Sequence, residues 1–127
     1  MLDHEVRDVV KRYFDCVNTD GWEAFRELWH PDCVTTPVEG PQRRGVEDVV
    51  ALYPLLLQPF PQHFDDPKRV LVSGDSATVE IRFTGTLHDG RVVEFDALDV
   101  FDLEDGLIRR LRYWYDPAPV LAQIVTS

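Results

Sequence analysis

Residues 92–106, VVEFDALDVFDLEDG, alternate in polarity with a period of two, the pattern of a half-buried strand. One face carries Val93, Phe95, Ala97, Asp99, Phe101 and Leu103, apolar throughout except for Asp99. The other carries Val92, Glu94, Asp96, Leu98, Val100 and Asp102, the mixture expected of a solvent or subunit surface. A carboxylate on a buried face must be hydrogen-bonded, ion-paired or kept protonated by a raised pKa. Two solutions are open. Arg110 or Arg112 of the following segment pairs with Asp99 across the strands, or Asp99 faces a cavity with no cation near it, as functional carboxyls do.

The same period extends on both sides. KRVLVSG (68–74), DSATVEIRFTGTLHDG (75–90), the opening segment and GLIRRLRYWYD (106–116) read as four strands joined by turns at Gly74, Gly90 and Gly106, an antiparallel meander. Strand 77–88 puts Val79, Ile81, Phe83, Gly85 and Leu87 on one face. The last strand puts Leu111, Tyr113 and Tyr115 on one face and Arg110, Arg112 and Trp114 on the other, the latter suited to a sheet-to-sheet homodimer contact.

Upstream the period is helical. Val6, Val9, Val10, Tyr13, Phe14 and Val17 form one stripe and predict a helix over 3–17. Asp20 and Glu23 resemble a capping box for a second helix with Trp22, Phe25, Leu28 and Trp29 on its apolar side, ending before Pro31. A short strand is expected at 33–38. A third helix follows with the stripe Val46, Val49, Val50, Tyr53, Leu56 and Leu57, broken or kinked by Pro54, and 58–67 reads as a loop. The fold class is therefore α+β, three N-terminal helices packed on a curved, mainly antiparallel sheet, with a concavity suited to a small ligand.

The chain has 127 residues, the size of one domain, so a single domain is expected over 1–127. Its 13 basic and 23 acidic residues give a net charge of −10, which repels nucleic acid and anionic membranes. The basic groups at 42–44 and 109–112 are too short to reverse that field. Cys16 and Cys33 read as buried thiols rather than a disulfide. The absence of a secretory signal and of a long apolar run makes cytoplasmic residence the default. His4, His30, His63 and His88 lack ligand spacing and read as surface or loop residues, and no metal or cofactor is expected.

Segments 10–40, VKRYFDCVNTDGWEAFRELWHPDCVTTPVEG, and 98–116, LDVFDLEDGLIRRLRYWYD, resemble the nuclear transport factor 2-like superfamily, and within it the ketosteroid isomerases and their SnoaL-like relatives. The resemblance implies a cone-shaped NTF2-like fold, usually dimeric. It also implies an oxyanion hole of a helix-1 tyrosine, matched by Tyr13, and a protonated strand aspartate, matched by Asp99. The isomerases' base falls on Thr36 in Val34-Thr35-Thr36-Pro37, and a threonine hydroxyl does not abstract a proton at neutral pH unaided. Glu39 lies nearby but off the alternation. The Asp-Arg-Asp system of the limonene-epoxide-hydrolase-like branch is missing, because its Arg and last-strand Asp fall on Ala97 and Tyr113. The SnoaL-type cyclases' last-strand aspartate likewise meets RYWY.

The resulting expectation is a pocket for a small apolar ligand with a carbonyl or phenol. Tyr13 and Asp99 are its donors, and Trp29, Thr36, Tyr53, Phe83, Phe95, Phe101 and Tyr115 its lining. Any chemistry would be cofactor-free and of the ketosteroid isomerase or polyketide cyclase type. The alternative is a non-catalytic binding or dimerisation module that has lost the base.

Overall fold

A computed structural model describes residues 1–125. The elements are α1 (Asp3–Asn18), α2 (Trp22–Arg26), β1 (Trp29–Thr36), β2 (Arg43–Arg44), α3 (Val46–Leu57), β3 (Gln62–Ser73), β4 (Ser76–Thr86), β5 (Val92–Glu104), β6 (Leu107–Trp114) and α4 (Pro117–Val125). The sheet order is β2-β1-β6-β5-β4-β3, antiparallel except where β1 runs parallel to β6. Irregular registers at Pro67/Arg69 in β3 and at Asp102/Leu103 between β5 and β6 bend the sheet. The helices fill the concave side. Among the described residues no helix is long and apolar enough to cross a membrane.

The periodicities predict faces well. All six residues of the α1 stripe are buried, and β4 buries Ala77, Val79, Ile81, Phe83 and Gly85 on its inner face. Gly85 is required there: a Cβ would lie 2.5 Å from Phe60 Cδ1 and 2.8 Å from Phe83 Cε1. On β5 the inner row is Val93 to Leu103, and Asp99 is 5% exposed.

Four expectations need correction. The second helix is one short turn and a half; Gly21, not Asp20, precedes it, and Asp20 has φ 54° with its carboxylate bonded to His63 Nε2 at 2.8 Å. Trp29 therefore opens β1 instead of closing a helix. Helix α3 continues through Pro54, which lies on its exposed side, and the buried face becomes Val49, Val50, Leu52 and Tyr53, leaving Leu56 46% exposed.

Residues 62–67 are strand, not loop. Prolines 61 and 67 are compatible with that because β3 is an edge strand whose bulge falls at Pro67. The segment after β6 forms α4, whose start is marked by Asp116 Oδ1 accepting the Ala118 N–H at 3.1 Å with Pro117 in the first turn. Gln123 docks α4 by accepting from Glu94 N and donating to Glu94 O, both at 2.9 Å.

Candidate functional site

Between the helices and the inner sheet face lies a cavity of about 260 Å³, slightly below the usual range of about 300–1,000 Å³ for ligand pockets. Its wall is apolar: Val17 from α1, Leu57 from α3, Ile81 and Phe83 from β4, Phe95 and Ala97 from β5, and Val120 and Ile124 from α4. Phe83, Phe95 and Tyr115 stack in a row with centroids 4.7 and 5.0 Å apart. The polar groups in this wall are Asp99, Asp65, Tyr53, Tyr113 and Tyr115.

Asp99 stands opposite Val79 on β4 and Tyr113 on β6. Its carboxyl makes no hydrogen bond or ion pair among the described residues. Burial pushes its pKa well above the ordinary carboxylate range, and the nearby Asp65 charge adds to the rise. The arginine pairing left open by the sequence does not form. Arg110 and Arg112 lie on the outer face, where both reach Asp102, at 3.1 and 3.8 Å. Burial with no cation partner therefore favours the protonated form of Asp99.

Three tyrosines from three elements meet beside it. The Tyr13 hydroxyl of α1 lies 2.9 Å from that of Tyr53 of α3, which is in turn bonded to Tyr113 of β6. Burial foremost raises the pKa of all three, so they remain phenols. Three hydroxyl protons serve two internal bonds, so one proton remains to be donated at an end of the chain. Tyr13 is 2% exposed, enclosed by Phe14, Phe25, Trp29 and Phe101, whereas Tyr113 lines the cavity. An order running from Tyr13 through Tyr53 to Tyr113 pairs the two innermost protons and puts the last hydroxyl on the member that lines the cavity, with Thr35 beside it, and each bond polarises the next.

The sequence-derived site residues divide into three groups. Asp99, Tyr53, Phe83, Phe95 and Tyr115 line the cavity. Tyr13, Trp29 and Phe101 lie behind it in the core, Tyr13 reaching it through Tyr53. Thr36 is turned away: it pairs with Arg112 on the outer-face register and its Oγ1 accepts from Gln42 Nε2 at 3.1 Å. The inward neighbour is Thr35, fully buried, whose hydroxyl donates to the Leu111 carbonyl at 3.0 Å. Glu39 is exposed; its charge reaches Tyr115 but it does not line the cavity.

Asp65 was missed because 58–67 read as a loop, although His63 and Asp65 alternate with Phe64 and Asp66. Tyr113 shares a face with Leu111 and Tyr115 in the alternation of its own strand, and its pairing with Asp99 makes that face the inner one. His63, expected in a loop, is a strand residue whose side chain is 6% exposed.

A family model described as the SnoaL-like domain matches residues 10–111. The chain belongs to the SnoaL-like family. No curated protein matches it. Among solved structures, a protein of Jannaschia sp. CCS1 assigned as a SnoaL-like polyketide cyclase is 25% identical, with 98% of this chain and 94% of that one covered and a TM-score of 0.90. A Sinorhizobium meliloti protein assigned as a polyketide cyclase is 27% identical over 84% of this chain and 94% of that one, TM-score 0.70. An epoxide hydrolase of the limonene-epoxide-hydrolase-like type from Mycobacterium tuberculosis shares the fold, with 17% identity over 96% and 90% and a TM-score of 0.81. The SnoaL-like chain thus has the cone-shaped NTF2-like fold that these structures share.

Proposed function

We propose that this SnoaL-like protein holds a small, mostly apolar molecule by a carbonyl or phenolic oxygen, with Asp99 and Tyr113 as neutral donors and Tyr53 and Tyr13 supporting Tyr113. The observation that carries this reading is Asp99 itself, a buried acid facing an apolar cavity with no cation partner. Two neutral donors converging on one oxygen stabilise charge that develops there during enolisation, isomerisation or cyclisation. Phenyl-ring and aliphatic walls supply affinity by excluding water, at roughly 25 cal/mol per Å² of apolar surface covered.

Titration with 4-nitrophenol, whose absorbance separates phenol from phenolate, tests the reading. Binding should survive Asp99→Asn and fall about 10- to 100-fold with Asp99→Leu, the cost of losing a hydrogen bond to a developing charge. Tyr113→Phe should weaken binding comparably, and Tyr13→Phe less. No binding by the wild type, with the variants altered only in stability, would overturn it.

Thr36 on the outer face supports a second reading, a ligand-binding module without turnover. The outer sheet face, where Trp114 is 48% exposed beneath the Arg112 guanidinium, is the surface we assign to a homodimer contact. Light scattering on Trp114→Ser checks that assignment, with a shift to monomer as the expected result.

A further inference from the structure

We infer that Asp65, carried on the edge strand β3, is the proton-accepting group of this cavity, replacing the acid that β1 lacks. The inference rests on the oxyanion reading of Asp99 given above. The cavity lining contains two carboxyls, and Asp65 is the one besides Asp99. On β3 it stands directly opposite Phe83, an inward residue of β4, so its side chain lies on the inner face. Its carboxylate has no hydrogen bond or ion pair among the described residues.

The backbone at this point is fixed independently of the side chain. Asn18, the last residue of α1, donates its Nδ2 to the Asp65 carbonyl at 2.9 Å and accepts the Asp65 N–H on Oδ1 at 2.8 Å. An amide side chain thus occupies the hydrogen-bonding position of a neighbouring strand on the sheet's free edge. Positions with two ladder-like bonds are rigid, and a base must be held within tenths of an ångström of its target. Nothing in the fold requires an acid at 65: the bonds to Asn18 use main-chain atoms alone.

The groups facing Asp65 set its proton affinity. Burial raises its pKa to about 6, and His63 on the same strand, held by Asp20, lowers it. Asp99 on β5, its pKa raised by burial, carries its proton on the oxyanion reading, and burial likewise holds Tyr53, Tyr113 and Tyr115 as phenols. At neutral pH Asp65 is therefore ionised while Asp99 is not, a base and an acid separated by environment.

The step balances without a further reagent. Asp65 takes a proton from carbon next to a ligand carbonyl, the C–H electron pair forms the C=C bond, and the carbonyl π pair moves to oxygen. That oxygen receives hydrogen bonds from Asp99 and Tyr113. Return of the proton from Asp65 to the same carbon restores the ketone; return to a conjugated carbon isomerises it.

The experiment measures deuterium uptake at the α-carbon of 1-indanone in D2O by NMR, with 4-nitrophenol binding followed in parallel on the same preparations. Wild type should exchange above buffer, with the rate rising as pH passes about 6. Asp65→Asn should lower exchange about 100-fold or more while 4-nitrophenol still binds, because the donors are untouched. Equal exchange in Asp65→Asn and wild type overturns the assignment. So does a wild type that binds 4-nitrophenol in an Asp99-dependent way yet exchanges no deuterium, which leaves the oxyanion reading intact. Absence of 4-nitrophenol binding overturns the oxyanion reading first and this inference with it.

Discussion

Asp99 and Asp102 are three residues apart on β5 and therefore point to opposite faces of the sheet. Asp102, on the outer face, accepts from Ser76 Oγ at 2.7 Å and from Arg110 Nε at 3.1 Å. Partial burial raises its pKa, but these bonds and the two guanidinium charges outweigh that, and it ends below the ordinary carboxylate value. Asp99 has the burial without the partners and ends far above it. Two identical side chains on one strand are thus shifted in opposite directions, Asp102 toward the anion and Asp99 toward the neutral acid. Parity alone decides which of them meets the arginines.

If the two faces differ as described, the largest effect comes from the inner row. Phe101→Ala, which removes a fully buried ring packed on Tyr13 and Phe14, should cost about 3–5 kcal/mol, whereas Val100→Ala next to it should cost less than about 1 kcal/mol. Urea unfolding measures both, and comparable losses would show that the faces are not distinct.

Crowding the inner face is the next largest. Gly85→Ala forces a methyl into Phe60 and Phe83 and should cost about 1–3 kcal/mol, while Thr84→Ala on the outer face should lie within about 0.5 kcal/mol of wild type.

The pH dependence of stability sharpens the comparison of the acids. Asp99 and Asp65 both keep protons to higher pH when folded than when unfolded, where Asp titrates near 3.9. Above that value the native state binds more protons, so their contribution makes unfolding free energy fall as pH rises. Asp65's share is spent by the time pH passes about 6, and Asp99's continues to its own raised pKa. Asp65→Asn should flatten the curve between about pH 4 and 6, and Asp99→Asn over a wider range.

Asp102 carries the opposite sign and the smallest effect. Its stabilisation is present above the unfolded pKa and is lost as pH falls through its lowered folded value. Asp102→Asn should cost about 0.5–1 kcal/mol at pH 7, diminishing in acid. Urea midpoints measured from pH 3 to pH 8 would expose either sign if it were reversed.

Alternation was sufficient to place Asp99 on the inner row and to select the α1 stripe, because a strand's side chains must alternate and a helix's must recur every three to four residues; the side taken by Arg110 and Arg112 stayed open until the pairing of β5 with β6 put both beside Asp102. It did not place Thr36. Val34-Thr35-Thr36 contains no polarity contrast, and the pairing of Thr35 with Leu111 and Thr36 with Arg112 decides the parity. Nor did it recognise β3 in QPFPQHFDDP, where three prolines signal a loop unless the strand is known to lie at a sheet edge. Helix α4 was not read from the sequence, because Asp116-Pro117, its cap and first turn, equally marks the end of a strand.

What the sequence determines by itself is periodic: the stripe of α1, the alternating faces of β4 and β5, and one acid on a face with no room for charge. Those follow from local geometry, which every residue carries with it. The tertiary structure decides what lies across the cavity. Tyr13, Tyr53 and Tyr113 are tens of residues apart and share one hydroxyl chain, and Asn18 presents Asp65 to the space that Asp99 faces. Such meetings depend on the bend of the sheet and the docking of α1 and α3 within it, distances that no local pattern encodes.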